Sequence, residues 1–542
     1  MRKHIQRISA RAKAVPIHHW IFLAILLFGI FLRTYEFRDW MIFNPDQARD
    51  AFLIQDMIDG KTFPLMGPQA GNTEFSLGPI FYYFEFASAL VFGSSVESMA
   101  YPDLFFSILA IVLAHFFFRK FFQENIALIL TFLFSISFFV ITYSRFAFNP
   151  NSIPFFVLLF LLALLKIMSD SPKEKFFWAA VLGVSMGVGF QLHTILLISM
   201  PAMAVLVCAY LFFKRRFIWK SMLVAFLFFL LCNAGQLSSE VQNDWFNMKV
   251  LFSDMKGSGL DSGKSQWRSI ANDTLCHIQG MVYILSAQGG GDKCEFTTLP
   301  ERIGEKGWLF NLKKVVFIGI GAIFLSGGWA LLFWYASKER SRERMYALWL
   351  LTTYCLVTFM VLLPVSSAIS MRYFIVVEFV PFVLAGFWIR FIGESLRHTR
   401  VALASVSLFV FILTALHLQA ISMQVHALAS GTASTKDFAI FGETKVMSRY
   451  ILDRSGDAEV IYLHGRTDYL SRFDASLNYF AAQEGKVVRN ANHRELIGRD
   501  DPFFYIANKG NERLSSKEII EGFSTEEISV FGNVAIAKIV RK

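Results

Sequence analysis

Long apolar segments recur along most of the chain, and short polar segments separate them. A run of about 17 or more apolar residues can cross a bilayer as a helix that rises about 1.5 Å per residue. About eleven such runs occur up to residue 421, and none follows. The pattern predicts a polytopic α-helical membrane domain over residues 1–421 and a soluble domain over 422–542. The predicted spans are 17–33, 102–118, 126–143, 153–168, 176–192, 195–213, 219–237, 315–336, 345–363, 372–392 and 401–421.

Basic residues gather at alternate connections between these spans. The clusters lie at 2–13, 119–120, 166–175, 214–220, 338–344 and 397–400. Such clusters mark cytoplasmic loops, so we predict a cytoplasmic N-terminus and an external C-terminal domain. No small-residue cleavage site follows the first apolar run, and we expect that run to be retained as a signal anchor. Short loops and a compact external tail favour a bacterial inner membrane.

Composition supports the membrane assignment. The chain has 542 residues, of which 55% are hydrophobic and only 17% are charged, which is too apolar for a soluble protein of this size. A net charge of +10 could suggest nucleic-acid binding, but no basic module interleaved with aromatic residues is present. We exclude nucleic acid as a partner and attribute the charge to topology and to anionic lipids at the cytoplasmic face.

Two further segments are predicted to be external and are too long to be simple connections. Residues 34–101 contain a helical stretch from Gln47 to Asp59 and an aromatic run over 79–93 with Glu85 inside it. We favour a helix in the membrane interface for 79–93, and the alternative is a short true span. The second segment is 238–314, which is polar and glycine-rich around Lys256–Lys264.

The cysteines divide between these regions. Cys276 and Cys294 lie together in the loop over 238–314, whereas Cys208, Cys232 and Cys355 lie inside predicted spans. Two cysteines in one external loop predict a disulfide in an oxidising compartment, and the alternative is two unpaired thiols.

The tail has the alternation of a small α/β domain. Helical periodicity is present over 445–455 and 471–483, and strand-like runs cover 459–463 and 502–507. A terminal hairpin over 528–540 turns at Gly532-Asn533. About 120 residues suffice for one such domain.

Chemistry is concentrated in the segment that follows the first span. Between Asn44 and Asp50 the chain places two acids, an amide and a base, and ionisable groups held against a membrane are costly and usually functional. Asp46 is the candidate general base for an acceptor hydroxyl or amine. The alternative is that Asp46 caps the helix that starts there, since Asp is a favoured N-cap residue.

Arginines in three external segments are candidates to bind a phosphate. The planar fork of a guanidinium binds two phosphate oxygens, and Arg49, Arg145 and Arg372 lie on the same predicted face as Asp46. His193, in an external turn, is a supporting candidate. The alternatives are a surface ion pair for Arg49, interfacial anchoring for Arg145 and Arg372, and an ordinary turn histidine.

Four other residues of the first loop are supporting candidates. Asp50 could assist Asp46 or could solvate one helix face. Tyr82 and Tyr83 could stack on a sugar or an isoprenoid, or could belong to an aromatic belt. Glu85 could act beside them or could lie inert in the interface.

The first loop resembles that of the GT-C glycosyltransferases. The residues are Asn44–Phe52 followed by Gly78–Tyr83, and the similarity is to the protein O-mannosyltransferase and aminoarabinose transferase group. Ser144-Arg145, Arg372-Tyr373 and the layout of many spans with an external tail extend it. The resemblance implies inverting transfer from a polyprenyl-phosphate sugar, with Asp46 as base and the phosphate as leaving group.

Two departures from that group remove negative charge. The group commonly has Asp-Glu where this chain has Asp46-Gln47, and many members have an acid where this chain has Asn149-Pro150-Asn151. Fewer carboxylates weaken the case for a divalent metal, so we favour no cofactor and leave a metal as the alternative.

Two other function classes compete with the glycosyltransferase hypothesis. A transporter or flippase of a lipid-linked or polar solute places charged residues near the middle of the membrane, whereas here the centres of the spans look nearly free of charge. A non-catalytic scaffold would not need Asp46. We favour the enzyme, and the sequence leaves open the sugar and whether the acceptor is a protein, a lipid or a polysaccharide.

Overall fold

The structure is a computed structural model that describes residues 16–71, 73–169, 174–257, 266–290, 294, 308–365, 369–396, 398–491, 503–510 and 523–541. The basic residues of the N-terminus and most of the glycine-rich stretch around Lys256–Lys264 lie outside the described residues. The described chain is a helical bundle followed by a small domain with a mixed β-sheet.

Nineteen α-helices and five strands make up the regular structure of the described residues. The helices are α1 Ile17–Thr34, α2 Pro45–Ile58, α3 Ile80–Phe92, α4 Val96–Phe118, α5 Glu124–Ile136, α6 Phe138–Thr142, α7 Ile153–Met168, α8 Lys175–Leu192, α9 Thr194–Phe213, α10 Trp219–Cys232, α11 Ala234–Gln242, α12 Phe246–Gly257, α13 Gln266–Ser286, α14 Trp308–Lys338, α15 Arg342–Leu362, α16 Val380–Ser395, α17 Thr399–Ala429, α18 Phe441–Arg454 and α19 Thr467–Ala482. The strands are β1 Val460–Gly465, β2 Val487–Asn490, β3 Phe503–Asn508, β4 Phe523–Phe531 and β5 Val534–Arg541. Short 3-10 helices cover Asn149–Ser152, Leu363–Val365 and Met371–Val377.

The polytopic helical fold class is confirmed. Within the described residues, eight helices are long and apolar enough to cross a membrane, and two bent pairs of helices raise the number to ten. The remaining predicted span, 126–143, corresponds to α5 and α6. Neither helix alone is long enough to cross a membrane, because the helix is interrupted at Ser137. At this break the amide of Phe138 donates to Nδ1 of His417 at 3.2 Å instead of continuing the helix.

The helix of the aromatic run, α3, is shorter than the spans. It has 13 residues and packs on α2 and α4. Its far end exposes Leu90, Val91 and Phe92, while its beginning is tied to α8 because the amide of Ile80 donates to Oε1 of Gln191 at 3.1 Å.

The predicted disulfide is present within the loop over 238–314. Cys276 of α13 and Cys294 form a disulfide with a Cα separation of 5.6 Å. The amide of Cys294 donates to the carbonyl of Ile369 at 3.1 Å, which ties this loop to the segment that leads to Arg372. Cys208, Cys232 and Cys355 are free thiols.

The C-terminal domain is a five-stranded sheet with the order β2-β1-β3-β5-β4. β2, β1 and β3 are parallel, whereas β5 pairs antiparallel with β3 and β4. The predicted helices, strands and hairpin are present with shifts of a few residues at most ends. The edge strand β2 has only four residues and no clear alternation, which is why the sequence pattern does not predict it.

This domain docks on the segment between α1 and α2. The amide of Phe43 donates to the carbonyl of Ala439 at 2.7 Å, and the amide of Phe441 donates to the carbonyl of Met41 at 2.8 Å. The ring of Phe43, fully buried, packs edge-on against Phe441 and Tyr479. The start of α2, where Asp46 lies, is therefore fixed between the bundle and the domain.

Candidate functional site

The beginning of α2 is determined by Asn44, Pro45 and Gln47. Asn44 is the N-cap residue, and its amide donates to Oε1 of Gln47 at 3.0 Å, which is one half of a capping box. Pro45 occupies the first helical position, which suits its fixed φ. The alternative that Asp46 is the N-cap residue is wrong, because Asn44 holds that position and Asp46 lies in the first turn.

Gln47 also explains one departure from the resembled group. Its side chain is buried and its Nε2 donates to the carbonyl of Ala147 at 2.8 Å, so it links the first loop to the loop after α6. An amide can donate to a carbonyl, whereas a glutamate carboxylate cannot. Gln47 is therefore a structural residue of the site.

Asp46, Arg49 and Asp50 form a chain of charges along α2. Nη1 of Arg49 is 2.9 Å from Oδ1 of Asp46, and Nη2 of Arg49 is 2.8 Å from Oδ1 of Asp50. The side chain of Asp46 is 49% exposed and that of Asp50 only 4%. Arg49 thus bridges the half-exposed carboxylate of Asp46 and the buried carboxylate of Asp50.

Burial changes the titration of the groups behind Arg49. It raises the pKa of the Asp50 carboxyl to about 6, although the contact with Arg49 acts in the opposite direction. Burial lowers the pKa of Arg49, but the charges of Asp50 and Asp46 outweigh it and raise the net value. Arg49 therefore stays protonated and holds Asp46 in place.

Glu85 lies deeper than Asp50 and is not an interfacial residue. Its side chain is fully buried, and neither carboxyl oxygen has a hydrogen-bond partner among the described residues. Burial and the negative charges of Asp50 and Asp103 raise its pKa well above the usual value. The alternative of an exposed position in the membrane interface is wrong, because α3 turns this side chain toward the interior of the protein.

The two tyrosines of α3 point in different directions. Tyr82 is buried beside Asp50 and Arg49, and burial raises the pKa of its hydroxyl. Tyr83 donates its hydroxyl to the carbonyl of Pro64 at 2.8 Å and stacks on Phe63 with the ring centroids 4.9 Å apart. Neither tyrosine lines the opening at Asp46.

An open cavity of about 600 Å³ lies in front of Asp46. Four of the predicted site residues line it, although they come from segments far apart in the sequence: Asp46, Arg49, His193 and Arg372. The rest of the wall includes Gln69, Thr73, Phe148, Asn149, Thr194 and Tyr373.

Arg372 and His193 form the wall opposite α2. Within the described part of the chain Arg372 has no acidic partner within 4.0 Å, and its guanidinium carbon lies 5.6 Å from the ring centroid of Phe148. Burial and the charge of Arg372 lower the pKa of His193 to about 4. Its Nδ1 accepts from the amide of Ile195 at 3.2 Å, so the neutral ring carries its proton on Nε2 and can donate there.

Arg145 does not reach this cavity. Its side chain is fully buried, its Nη1 donates to the carbonyl of Leu32 at 2.9 Å, and its guanidinium carbon lies 4.3 Å above the ring of Trp40. Nη2 donates to the carbonyl of Tyr35. The geometry does not support the predicted contact with a phosphate, because the guanidinium is engaged by backbone carbonyls at the C-terminal end of α1.

Asp103 is a site residue that the sequence reasoning missed. It is fully buried in α4, and its carboxylate accepts from the amide of Phe148 at 2.9 Å and from the hydroxyl of Ser152. These bonds shape the cavity wall from Phe148 to Asn149. An acid inside an apolar span was the available signal.

Asp103 is not the only charge within the helical bundle. Arg33 and Glu378 are also buried, and Nε of Arg33 donates to the hydroxyl of Ser107 at 2.9 Å. These charges do not contradict the prediction that the centres of the spans are nearly free of charge. Arg33 lies at the end of α1, Asp103 near the beginning of α4, and Glu378 just before α16.

The residues around the cavity do not form an evident metal site. In the part of the chain that the structure describes, no three or more His, Cys, Asp or Glu side chains are grouped so that they could hold a metal ion. Oδ1 of Asp46 is bonded to Arg49, and the side-chain amide of Asn149 donates to the carbonyl of Leu192 at 2.8 Å.

The helical bundle with its docked C-terminal domain has the fold of the GT-C membrane glycosyltransferases, to which similar solved structures belong. Residues 76–235 match the family described as dolichyl-phosphate-mannose-protein mannosyltransferase, a segment that contains His193 but neither Asp46 nor Arg372. Together the fold and this match indicate a glycosyltransferase.

Solved structures give the same fold at low sequence identity. ArnT from Cupriavidus metallidurans bound to undecaprenyl phosphate is similar with a TM-score of 0.55 and 12% identity over 95% of this chain and 97% of that chain. The apo oligosaccharyltransferase from Archaeoglobus fulgidus is similar with a TM-score of 0.51 and 12% identity over 91% and 69%. No curated protein is significantly similar in sequence.

Proposed function

We propose that the protein transfers a sugar from a polyprenyl-phosphate donor to an acceptor at the external face of the membrane, with inversion at the sugar. The observation that carries this proposal is the convergence of Asp46, Arg49, His193 and Arg372 on one cavity of about 600 Å³. Its support from comparison is the shared fold with an ArnT that was crystallised with undecaprenyl phosphate.

Asp46 is the general base of the proposed reaction. The acceptor hydroxyl or amine gives its proton to Asp46 as its oxygen or nitrogen forms a bond to the anomeric carbon. The bond from that carbon to the phosphate oxygen breaks, and the electron pair leaves with the phosphate. Attack from the side opposite the phosphate inverts the configuration at the anomeric carbon.

Arg372 and His193 stabilise the leaving group. The guanidinium of Arg372 is not neutralised by an acid among the described residues, so it can bind two phosphate oxygens. His193 is neutral and donates from Nε2, which adds a hydrogen bond. Charge that develops on the phosphate is then met by donors already in place.

Arg49 has a positioning role in this scheme. The sequence predicts that Arg49 binds the donor phosphate, but its guanidinium is already bonded to Asp46 and Asp50. We propose that it fixes one oxygen of Asp46 and keeps the other directed toward the acceptor. Asp50, Tyr82 and Glu85 support Arg49 from behind.

The acceptor would approach from the C-terminal domain. Helix α19 packs on α2, and Phe52 and Tyr479 lie with their ring centroids 5.6 Å apart. This contact joins the domain to the helix that carries Asp46 and Arg49. An external domain, a cytoplasmic N-terminus and a bacterial inner membrane remain part of the proposal, and whether the acceptor is a protein, a lipid or a polysaccharide is left to experiment.

The test is consumption of radiolabelled polyprenyl-phosphate sugars by the reconstituted protein. Replacing Asp46 by Asn keeps the shape and removes the base, and we expect a fall of about 10²- to 10⁴-fold in rate. Asp56→Asn is the matched control, because Asp56 lies on the same helix but is bonded to Lys61 outside the cavity. Equal rates for Asp46→Asn and wild type would refute the assignment, and movement of the donor without loss of its sugar would favour the transporter alternative.

A further inference from the structure

A second concavity lies at the end of the bundle opposite the cavity. We call it the groove, and its volume is about 470 Å³. The direction of the helices sets its place, because α4 and α16 begin near the cavity and end here. Its walls include Ile126, Ile129 and Val406, and its rim carries Arg344, Arg390 and Glu394.

The groove is apolar inside and opens to the side of the bundle. α5, α16 and α17 supply its walls, and Leu403 is 67% exposed at its edge. A Cβ added to Gly393 would meet nothing within 4 Å, so the groove has unfilled space along α16. An apolar channel between membrane helices suits a hydrocarbon chain better than a polar solute.

The rim lies at the level of lipid headgroups. Trp334 is 43% exposed near the end of α14, and Nζ of Lys338 lies 3.5 Å above its ring. Tryptophan and lysine at helix ends are typical of the membrane interface. Tyr335, the next residue, contacts the rim directly, since its hydroxyl donates to Oε2 of Glu394 at 2.6 Å.

The rim charges favour an anion. Glu394 is already engaged, because Oε1 accepts from Nε of Arg390 at 2.8 Å and Oε2 accepts from Tyr335. Arg390 is held in turn above the ring of Tyr335 at 3.9 Å. Arg344 has a weaker partner, with Nη1 3.4 Å from Oε2 of Glu339, and its side chain is 42% exposed.

We propose that the groove binds an anionic phospholipid, with an acyl chain against Ile126, Ile129 and Val406 and the phosphate at Arg344. The hydrophobic wall supplies chain burial, and the guanidinium supplies charge-assisted hydrogen bonds at the level of the headgroup. The site is separate from the cavity and does not depend on the proposed transfer reaction.

Native mass spectrometry of the full chain, released from nanodiscs of equal phosphatidylglycerol and phosphatidylcholine, tests this proposal. Wild type should retain phosphatidylglycerol in preference to phosphatidylcholine by about fivefold, the effect of one basic residue at the surface. Arg344→Ala should abolish this preference. Gly393→Leu, which fills the groove while keeping every rim charge, should reduce the number of retained phospholipids.

Arg340→Ala is the matched control, because it removes the same charge four residues earlier, just before α15, from a side chain that does not line the groove. The proposal is overturned if both lipids are retained equally by wild type, or if Arg340→Ala and Arg344→Ala act alike. It is also overturned if Gly393→Leu retains as much lipid as wild type, or if an added polyprenyl phosphate replaces phosphatidylglycerol. The melting temperature of each variant, compared with wild type in phosphatidylcholine alone, identifies variants that fail to fold, and Arg344→Gln then replaces Arg344→Ala.

Discussion

Both ends of the helical bundle carry two arginines beside an opening, but the arginines differ in what holds them. At the cavity, Arg49 is bonded to Asp46 and Asp50, while Arg372 has no acidic partner among the described residues. At the groove, Arg390 is bonded to Glu394, and Arg344 lies 3.4 Å from Glu339.

The difference between the ends is the carboxylate. Asp46 is half-exposed at its cavity, so it can take a proton from a substrate, whereas Glu394 is bonded to both Arg390 and Tyr335. An arginine at an opening therefore indicates only that the site can bind an anion. A positioned and accessible acid next to it is what adds the possibility of reaction chemistry.

The largest effect that separates the two ends should come from their arginines. Arg372→Gln should lower kcat/KM for the donor by about 10²- to 10³-fold, the usual cost of one lost donor to a developing oxyanion. Arg344→Gln, the same substitution at the opposite end, should leave kcat/KM near wild type. Donor consumption by both reconstituted variants measures this, and equal losses would mean that the two ends do not differ in function.

The sugar on the donor gives a second contrast. Among the described residues that line the cavity, Asp46 is the only carboxylate, and Arg49 already pairs with it. An ammonium group on the sugar would find no acid of its own and would meet the charge of Arg372. We expect kcat/KM for an uncharged hexose or pentose donor to exceed that for an amino-sugar donor by about tenfold or more, which corresponds to about 1.4 kcal/mol.

A panel of both donor types, with one polyprenyl chain throughout, measures this preference. Consumption of neither donor would count against the proposed function. Faster consumption of the amino sugar would count only against this prediction and would direct attention to residues outside the described lining.

The sequence predicts which loops of the site share a face, but it does not predict the direction of each side chain. Asp46, His193 and Arg372 could be brought together because alternating spans place the external loops that contain them on one face. Arg145 lies in such a loop too, yet its guanidinium turns inward to backbone carbonyls, and no local pattern reports the direction of a long side chain. The fold class was predictable because apolar periodicity is a local property.

Other parts of the site depend on long-range contacts. Asp103 accepts hydrogen bonds from Phe148 and Ser152, about 45 residues away, and Gln47 reaches Ala147. The break between α5 and α6 depends on His417. These partners are distant in the sequence, so neither spacing nor composition could identify them.

Asp50, the buried carboxylate that holds Arg49, should make the transfer rate depend moderately on pH. Asp50, whose pKa is about 6, is ionised above that pH and holds Arg49, and it becomes protonated and releases Arg49 as the pH falls. At pH 5, one unit below this pKa, about one-tenth of Asp50 is ionised, so activity should fall about tenfold from its value at pH 7. The donor-consumption rate between pH 5 and pH 8 measures this effect.

Asp50→Asn should remove that dependence. The variant should show at pH 7 the low activity that wild type has at pH 5, with little further change below pH 7. The groups that face Asp50 are Arg49, Asp46, Tyr82 and Glu85, and all are unchanged in the variant. An unaltered acidic limb in Asp50→Asn would assign the effect to one of them instead.

The smallest effect on catalysis should come from the groove. Arg344→Ala removes the proposed phosphate contact at the opposite end of the bundle, so the rate per folded molecule should match wild type in bilayers of any composition. The free energy of binding to phosphatidylglycerol should weaken by about 1 kcal/mol. Thermal unfolding in phosphatidylglycerol and in phosphatidylcholine measures the second part, because a ligand that binds only the folded protein raises its melting temperature. A lower rate without a change in lipid-dependent stability would show that the two ends are coupled through the bundle. It would contradict the inference that the groove and the cavity act separately.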